Sequence, residues 1–276
     1  MENKAEIIRK AKILTEGLGM GRYCIAIIMI ALNRNWDVTP LIEVRTFPKM
    51  KVVFEGLRAN IDVNLYAKRD YSLGKMKIIK DALINNIEVK DILKTEKFIS
   101  EESLSFIVDL RKMDKEDGPF ADETHPVERF IRDYLPLQVT SDRLKLLYEA
   151  YKEGVSETIT LNKTASNALI ATALMAKKRG YDFDLIAKQD FMDSQLSELR
   201  QAMDEKVDIT LMLNRDFSSL QLRQIRLGLV NGVDVATYAD PKMSPLDMKE
   251  MRSKLALNAG EELYNQSYDL AEKLLR

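Results

Sequence analysis

One period governs most of this chain. The first apolar residue of each helical pattern falls at Ile25, Met50, Met76, Leu104, Leu144, Ile170, Leu196, Leu222 and Met248, with spacings of 25, 26, 28, 40, 26, 26, 26 and 26. A period of this size marks a repeat architecture, in which each unit buries its apolar face against the copies beside it. Two stretches show the repeat directly. EGLRANIDVNLYAKRDYS from Glu55 and LGLVNGVDVATYADPKMS from Leu227 match without a gap at seven positions, including Gly56 with Gly228, Tyr66 with Tyr238 and Ser72 with Ser244.

Within a unit, apolar residues stand at the anchor and three, seven and eleven positions later, as in Met76, Ile79, Leu83 and Ile87. That spacing lines one face of an α-helix, whereas a strand would alternate. Four residues before the anchor come Thr46, Ser72, Ser100, Thr140, Ser166, Ser218 and Ser244, hydroxyls suited to cap a helix start. Gln221 completes a capping box with Ser218, Phe217 and Leu222 form a staple, and Pro245 suits a first helical position. Ten residues after the anchor stand Asn35, Asn60, Asn86, Gly154, Gly180, Gly232 and Asn258, with Lys206 and the fourth unit breaking the pattern. Gly and Asn enter the left-handed conformation at low cost, and helices commonly stop on them. An apolar residue follows, and then Asp37, Asp62, Glu88, Ser156, Asp182, Asp208 or Asp234, which can cap a second, short helix. The expected fold is all-α, a solenoid-like array of about eight to nine hairpins, each a long helix and a short one.

The spacing of 40 contains KMDKEDGPFADETHP, from Lys112 to Pro126, which is acidic, carries Gly and two prolines and lacks the helical period. It reads as a loop dividing N-terminal repeats (1–112) from C-terminal repeats (127–276), with 113–126 as the linker. Tyr134 falls where the register places a short-helix tyrosine, so VERFIRDYLPL reads as the short helix of a unit that has lost its long one.

Few residues here suggest chemistry. Lys plus Arg is 42 against 43 for Asp plus Glu, which gives no overall reason to bind nucleic acid or an anionic membrane. The single cysteine, Cys24, cannot form an internal disulfide and lies in an apolar helix, where it reads as a core residue in a cytoplasmic protein. That helix, CIAIIMIAL, is too short to span a membrane, and the N-terminus lacks the features of a signal peptide. The only histidine, His125, lies near Asp122, Glu123 and Glu128, too few ligands for a strong metal site. Gly17, Gly19 and Gly21 lack the preceding strand of a phosphate loop and read as a turn. No catalytic residue, cofactor, metal or small-molecule substrate is expected.

Two surfaces stand out. Arg200, Arg226 and Arg252 each follow their anchor by four and would form a row. The row reads either as a strip for phosphate or an acidic partner, or as salt bridges to the capping Asp182, Asp208 and Asp234, which share its period. In the N-terminal units Ile27, Val52, Phe54 and Ile78 make the helices apolar on more than one face. Either a helix over Lys4 to Leu14 covers them or they form a binding surface.

The residues Gln221, Leu222, Ile225, Arg226, Gly228, Leu229, Gly232, Asp234, Val235, Tyr238 and Ala239 follow a pattern that resembles short helical repeats in proteins of low-GC Gram-positive bacteria, their phages and conjugative elements. The resemblance implies a helical repeat protein of a mobile element and carries over no catalytic residue. The expected function is non-enzymatic binding of another protein, in concrete form the inhibition of a host defence protein. The alternative is nucleic-acid binding through the arginine row. The binding residues named for these readings are Arg200, Arg226, Arg252, Asp122, Glu123 and His125, or else the apolar set from Ile27 to Ile78.

Overall fold

The computed structural model describes residues 4–95, 99–117 and 125–275. Every regular element among them is helical. The chain divides into two compact units, Met1–Lys145 and Leu146–Arg276. This boundary lies beyond the one expected at 113–126.

In the first unit, α1 (Lys4–Thr15), α2 (Arg22–Asn33), α3 (Thr39–Val44) and α4 (Phe47–Arg58) lead to a 3₁₀ turn at Val63–Leu65. Then come α5 (Leu73–Ile84), α6 (Lys90–Thr95), α7 (Glu101–Asp117), α8 (Pro126–Tyr134) and a second 3₁₀ turn at Leu135–Leu137. Helix α1 packs on α2, α2 on α4, α4 on α5, α5 on α7 and α7 on α8. Helix α9 (Ser141–Lys152) leads into the second unit, with α10 (Glu157–Thr160), α11 (Asn167–Arg179), α12 (Phe183–Ala187), α13 (Asp193–Asp204), α14 (Ser219–Val230) and α15 (Pro245–Leu275). Short 3₁₀ turns at Thr210–Met212 and Val235–Thr237 follow α13 and α14. There α11 packs on α13, α13 on α14 and α14 on α15.

The helix ends are built as the residue pattern requires. Ser72, Ser100, Thr140, Ser166, Ser218 and Ser244 each accept a hydrogen bond from the backbone N–H three residues on. Thr46 is an N-cap whose side chain makes no such bond. Asn35, Asn60, Asn86, Gly154, Gly180 and Gly232 have φ between 55° and 76°, and Lys206 adopts the same conformation at 59°. The next N–H reaches back five residues, as in Ile61 to the Gly56 carbonyl, Val207 to Ala202 and Val233 to Gly228. This is the Schellman closure, which satisfies carbonyls a helix end leaves open. Asp37, Asp62, Glu88, Ser156, Asp182, Asp208 and Asp234 then accept from the N–H two residues on, starting each short segment.

The anchors from Met50 to Met248 are almost wholly buried, and so are Val53, Ile79, Ile107, Leu147, Leu199 and Ile225 three residues later. Ile25 is only half-buried, and Cys24, Ile28 and Ala31 fill the core of α2 instead. A further position, six after the anchor, is buried and small: Ala31, Gly56, Ala82, Ala150, Ala176, Ala202 and Gly228.

Two expectations are corrected. Asn258 does not end a helix, since α15 runs on to Leu275. The residues after it, Ala259 and Gly260, supply neither the large apolar residue nor the capping side chain found elsewhere, and good helix formers follow. The segment from Lys112 to Asp117 is not loop but the end of α7, which has Asp114 rather than Gly or Asn at the stop position. Residues 118–124 lie outside the described residues. Helix α8, the segment read as the short helix of a unit that has lost its long one, packs on α7.

Candidate functional site

The arginine row does exist, but its partners differ from those expected. Arg226 is 6% exposed and donates to Glu198 (3.0 Å) and to Glu205. Burial opposes its charge, and hydrogen bonds to the two glutamates outweigh that and raise its pKa. Arg200 donates from Nη1 to the Ala168 carbonyl at 2.9 Å and Thr172 Oγ1 at 3.2 Å, and burial lowers its pKa. Arg252 donates from Nε to Gln224 Oε1 at 3.3 Å. Thr172, Glu198 and Gln224 each lie 28 residues before their arginine, on the preceding long helix. Each arginine therefore ties its helix to the one before it. Asp182, Asp208 and Asp234 instead accept from backbone N–H groups.

Gln195 and Gln221 make a second set of ties. Each accepts at Oε1 from the N–H of its own helix cap, Met192 or Ser218. Each then donates from Nε2 to two carbonyls of the loop ahead: Arg215 and Phe217 for Gln195, Pro241 and Met243 for Gln221. The sequence reading saw the capping box and missed this link.

In the first unit Arg111 is 3% exposed. It donates to both carboxylate oxygens of Asp91 (3.0 and 2.6 Å), to both of Glu128 (2.8 and 2.6 Å) and to the Glu88 carbonyl. It thereby clasps α6, α7 and α8 together. Burial pushes the Asp91 carboxyl up, and Arg111 more than offsets this, leaving it below the usual carboxylate range. A charged residue at a register position held elsewhere by Leu57, Leu83 or Leu229 was the available signal.

His125 is the N-cap of α8, and its Nδ1 lies 2.8 Å from Asp114 Oδ2. Asp122 and Glu123 lie outside the described residues. Among the described residues no group of three or more His, Cys, Asp or Glu stands close enough to hold a metal ion. None of the described helices is long and apolar enough to cross a membrane.

The apolar set is largely covered. Val52 is buried, Ile27 and Ile78 are half-buried, and Phe54 meets Trp36 edge-on with ring centroids 5.4 Å apart. Helix α1, which buries Ile7 and Ala11, packs on α2. The large apolar side chains that reach solvent in the second unit include four leucines the sequence reading did not single out. Leu220 (58% exposed) and Leu246 (63%) occupy the second position of α14 and α15, which pack together. Leu185 (46%) and Leu211 (43%) occupy equivalent positions of two short segments, again 26 apart.

Comparisons with protein-family models, with curated proteins and with solved structures returned no match.

Proposed function

We propose that each unit is a short solenoid-like stack of helical hairpins, and that the chain acts without catalysis, binding another protein through equivalent positions of successive hairpins. The observation that carries this reading is the set of exposed leucines at a 26-residue spacing, Leu220 with Leu246 and Leu185 with Leu211. Stacked repeats bind through such equivalent positions, and exposed large apolar side chains suit a protein surface better than phosphate. The arginines that could have formed a phosphate strip are engaged within the fold. The resemblance to repeats of phages and conjugative elements gives the partner a concrete form: a host defence protein, bound and inhibited in the cytoplasm.

The test is affinity capture from a low-GC Gram-positive host lysate over a salt series, with Leu220→Asp/Leu246→Asp as the control. Acidic residues are favourable in a first helical turn, so the variant keeps its fold. The expected result is one protein held at high salt by the parent and lost by the variant. Equal capture by both would move the surface elsewhere. Retention of nucleic acid that falls away steeply with salt would replace the reading with the phosphate one.

A further inference from the structure

The first unit keeps most of its exposed large apolar side chains at its beginning. Among the described residues it exposes eight, and six of them lie between Ile8 and Phe47. Four gather at one edge. Ile13 (62% exposed) and Leu14 stand near the end of α1, and the turn 16–21 leads directly to Tyr23 (60%) at the start of α2. Phe47, the first residue of α4, is also exposed and meets the Tyr23 ring with centroids 5.6 Å apart.

Cations surround these apolar tips. The Arg22 guanidinium lies 5.0 Å from the centre of the Tyr23 ring. The Arg45 carbonyl lies 4.0 Å from Cys24 Sγ, which sets Arg45 beside the start of α2. Lys49 donates to the Arg69 carbonyl at 2.9 Å, which brings the exposed Lys68 and Arg69 to the start of α4. With Lys12 in the last turn of α1, these segments carry five exposed cations against three exposed carboxylates, Glu16, Glu43 and Asp70. Arg111, Arg179 and Arg226 are held in ion pairs, and among the described residues none of these five is. The asymmetry extends along the chain. Residues 1–84, through α5, hold 15 Lys and Arg against 9 Asp and Glu, and the remainder holds 27 (42 − 15) against 34 (43 − 9). The near-neutral total conceals a charge of +6 (15 − 9) in one part and −7 (27 − 34) in the other.

We infer that this edge of the first unit docks on an anionic lipid surface. Apolar and aromatic tips set among cations suit the boundary between headgroups and acyl chains. There Ile13, Leu14 and Phe47 enter the apolar layer, Tyr23 keeps its hydroxyl at headgroup level, and the cations meet phosphate. Lipids rearrange around tips that stand on separate helix ends, whereas a folded protein would need a matching cleft. A nucleic acid would leave Ile13 and Leu14 in water. The charge asymmetry turns this edge toward an anionic surface and the acidic remainder away from it. Such docking lies on the bilayer and needs no helix that crosses it. The inference is independent of the leucine rows.

The test is co-sedimentation of the full chain with vesicles. The chain is expected to sediment with an equal mixture of phosphatidylcholine and phosphatidylglycerol, and not with phosphatidylcholine alone. Ile13→Asp/Tyr23→Asp should weaken binding at least about tenfold while keeping the parent's helicity and thermal midpoint, since both side chains are exposed. Arg22→Glu/Arg69→Glu should weaken it as well, and added salt should weaken the parent's binding. Failure of the parent to sediment with the anionic vesicles would overturn the inference, as would equal binding by the parent and Ile13→Asp/Tyr23→Asp. Binding to polyglutamate or to oligothymidylate without binding to vesicles would also overturn it and give the edge to a protein or a nucleic acid. No host protein is present in this assay, so its failure and that of the leucine surface are read separately.

Discussion

Position 228 is glycine because a tyrosine hydroxyl fills the space a side chain would need. A Cβ there would lie 1.9 Å from Tyr238 Oη, and one at Gly56 would lie 1.8 Å from Tyr66 Oη. The hydroxyls donate to the Gln224 and Val52 carbonyls at 3.1 and 3.4 Å, and burial pushes the Tyr238 pKa up to about 12. Units with Ala at this position carry Leu41, Ile92, Thr160, Ile186 or Met212 in place of the tyrosine. Gly228→Ala should therefore cost about 1–3 kcal/mol by overpacking. Tyr238→Phe should recover part of that loss in a denaturant double-mutant cycle, because Val235 Cγ1 at 2.6 Å remains in the way. The left-handed stops allow a cleaner comparison. Nothing lies within 4 Å of a Cβ at Gly232, so the cost of Gly232→Val comes from its φ of 68°. It should destabilise by about 1 kcal/mol or more, and Lys206→Gly at the equivalent turn should stabilise by about 1 kcal/mol. Capping and stopping residues were legible in the sequence because they act on their own backbone. The pairing of Gly with Tyr was visible as a repeated match, but its cause lies in packing between segments ten residues apart.

Between elements, the charged groups act as ties, and this changes what their replacement should do. Arg226→Glu, alone or with Arg200→Glu and Arg252→Glu, would set a third carboxylate against Glu198 and Glu205 in a site where the arginine side chain is 7% exposed. The second unit should lose about 3 kcal/mol or more, seen as a lower thermal midpoint before any partner is tested. The sequence showed the row but not its targets, because a period of 26 cannot say which neighbour a side chain reaches. Arg111 is the corresponding case in the first unit. Arg111→Leu leaves two carboxylates without their cation, one of them half-exposed at Asp91, and should cost about 2–4 kcal/mol. The Asp91 carboxyl is depressed in the folded state, so its contribution is complete at neutral pH and lost as pH falls below about 4. Thermal midpoints measured against pH should drop on that side, and less steeply in Asp91→Asn. The boundary of α7 was misread because acidic residues and a downstream Gly-Pro pair suggested a loop, yet no stop residue stood at Asp114.

At the scale of the molecule, the all-helical fold was legible because one 3.6-residue pattern recurs throughout. Its exposed surface was not, since Leu185 and Leu220 look like core residues until the short segments and helix starts are placed. The central claim is that 26 residues form one structural module that its neighbours can replace. Removing residues 192–217 joins Phe191 to Ser218 and leaves every register intact. Phe191 takes the place of Phe217, Gln221 that of Gln195, and Arg226 meets Thr172 and Ala168 where Arg200 did. Removing only 192–204 takes away α13 and strands the segment that follows it. The decisive measurement is urea unfolding followed by helical circular dichroism for the parent and both deletions. The account predicts that the 26-residue deletion keeps the parent's helicity per residue and unfolds cooperatively with a smaller denaturant slope, while the 13-residue deletion loses the second unit's transition. Equal damage from both deletions would contradict it.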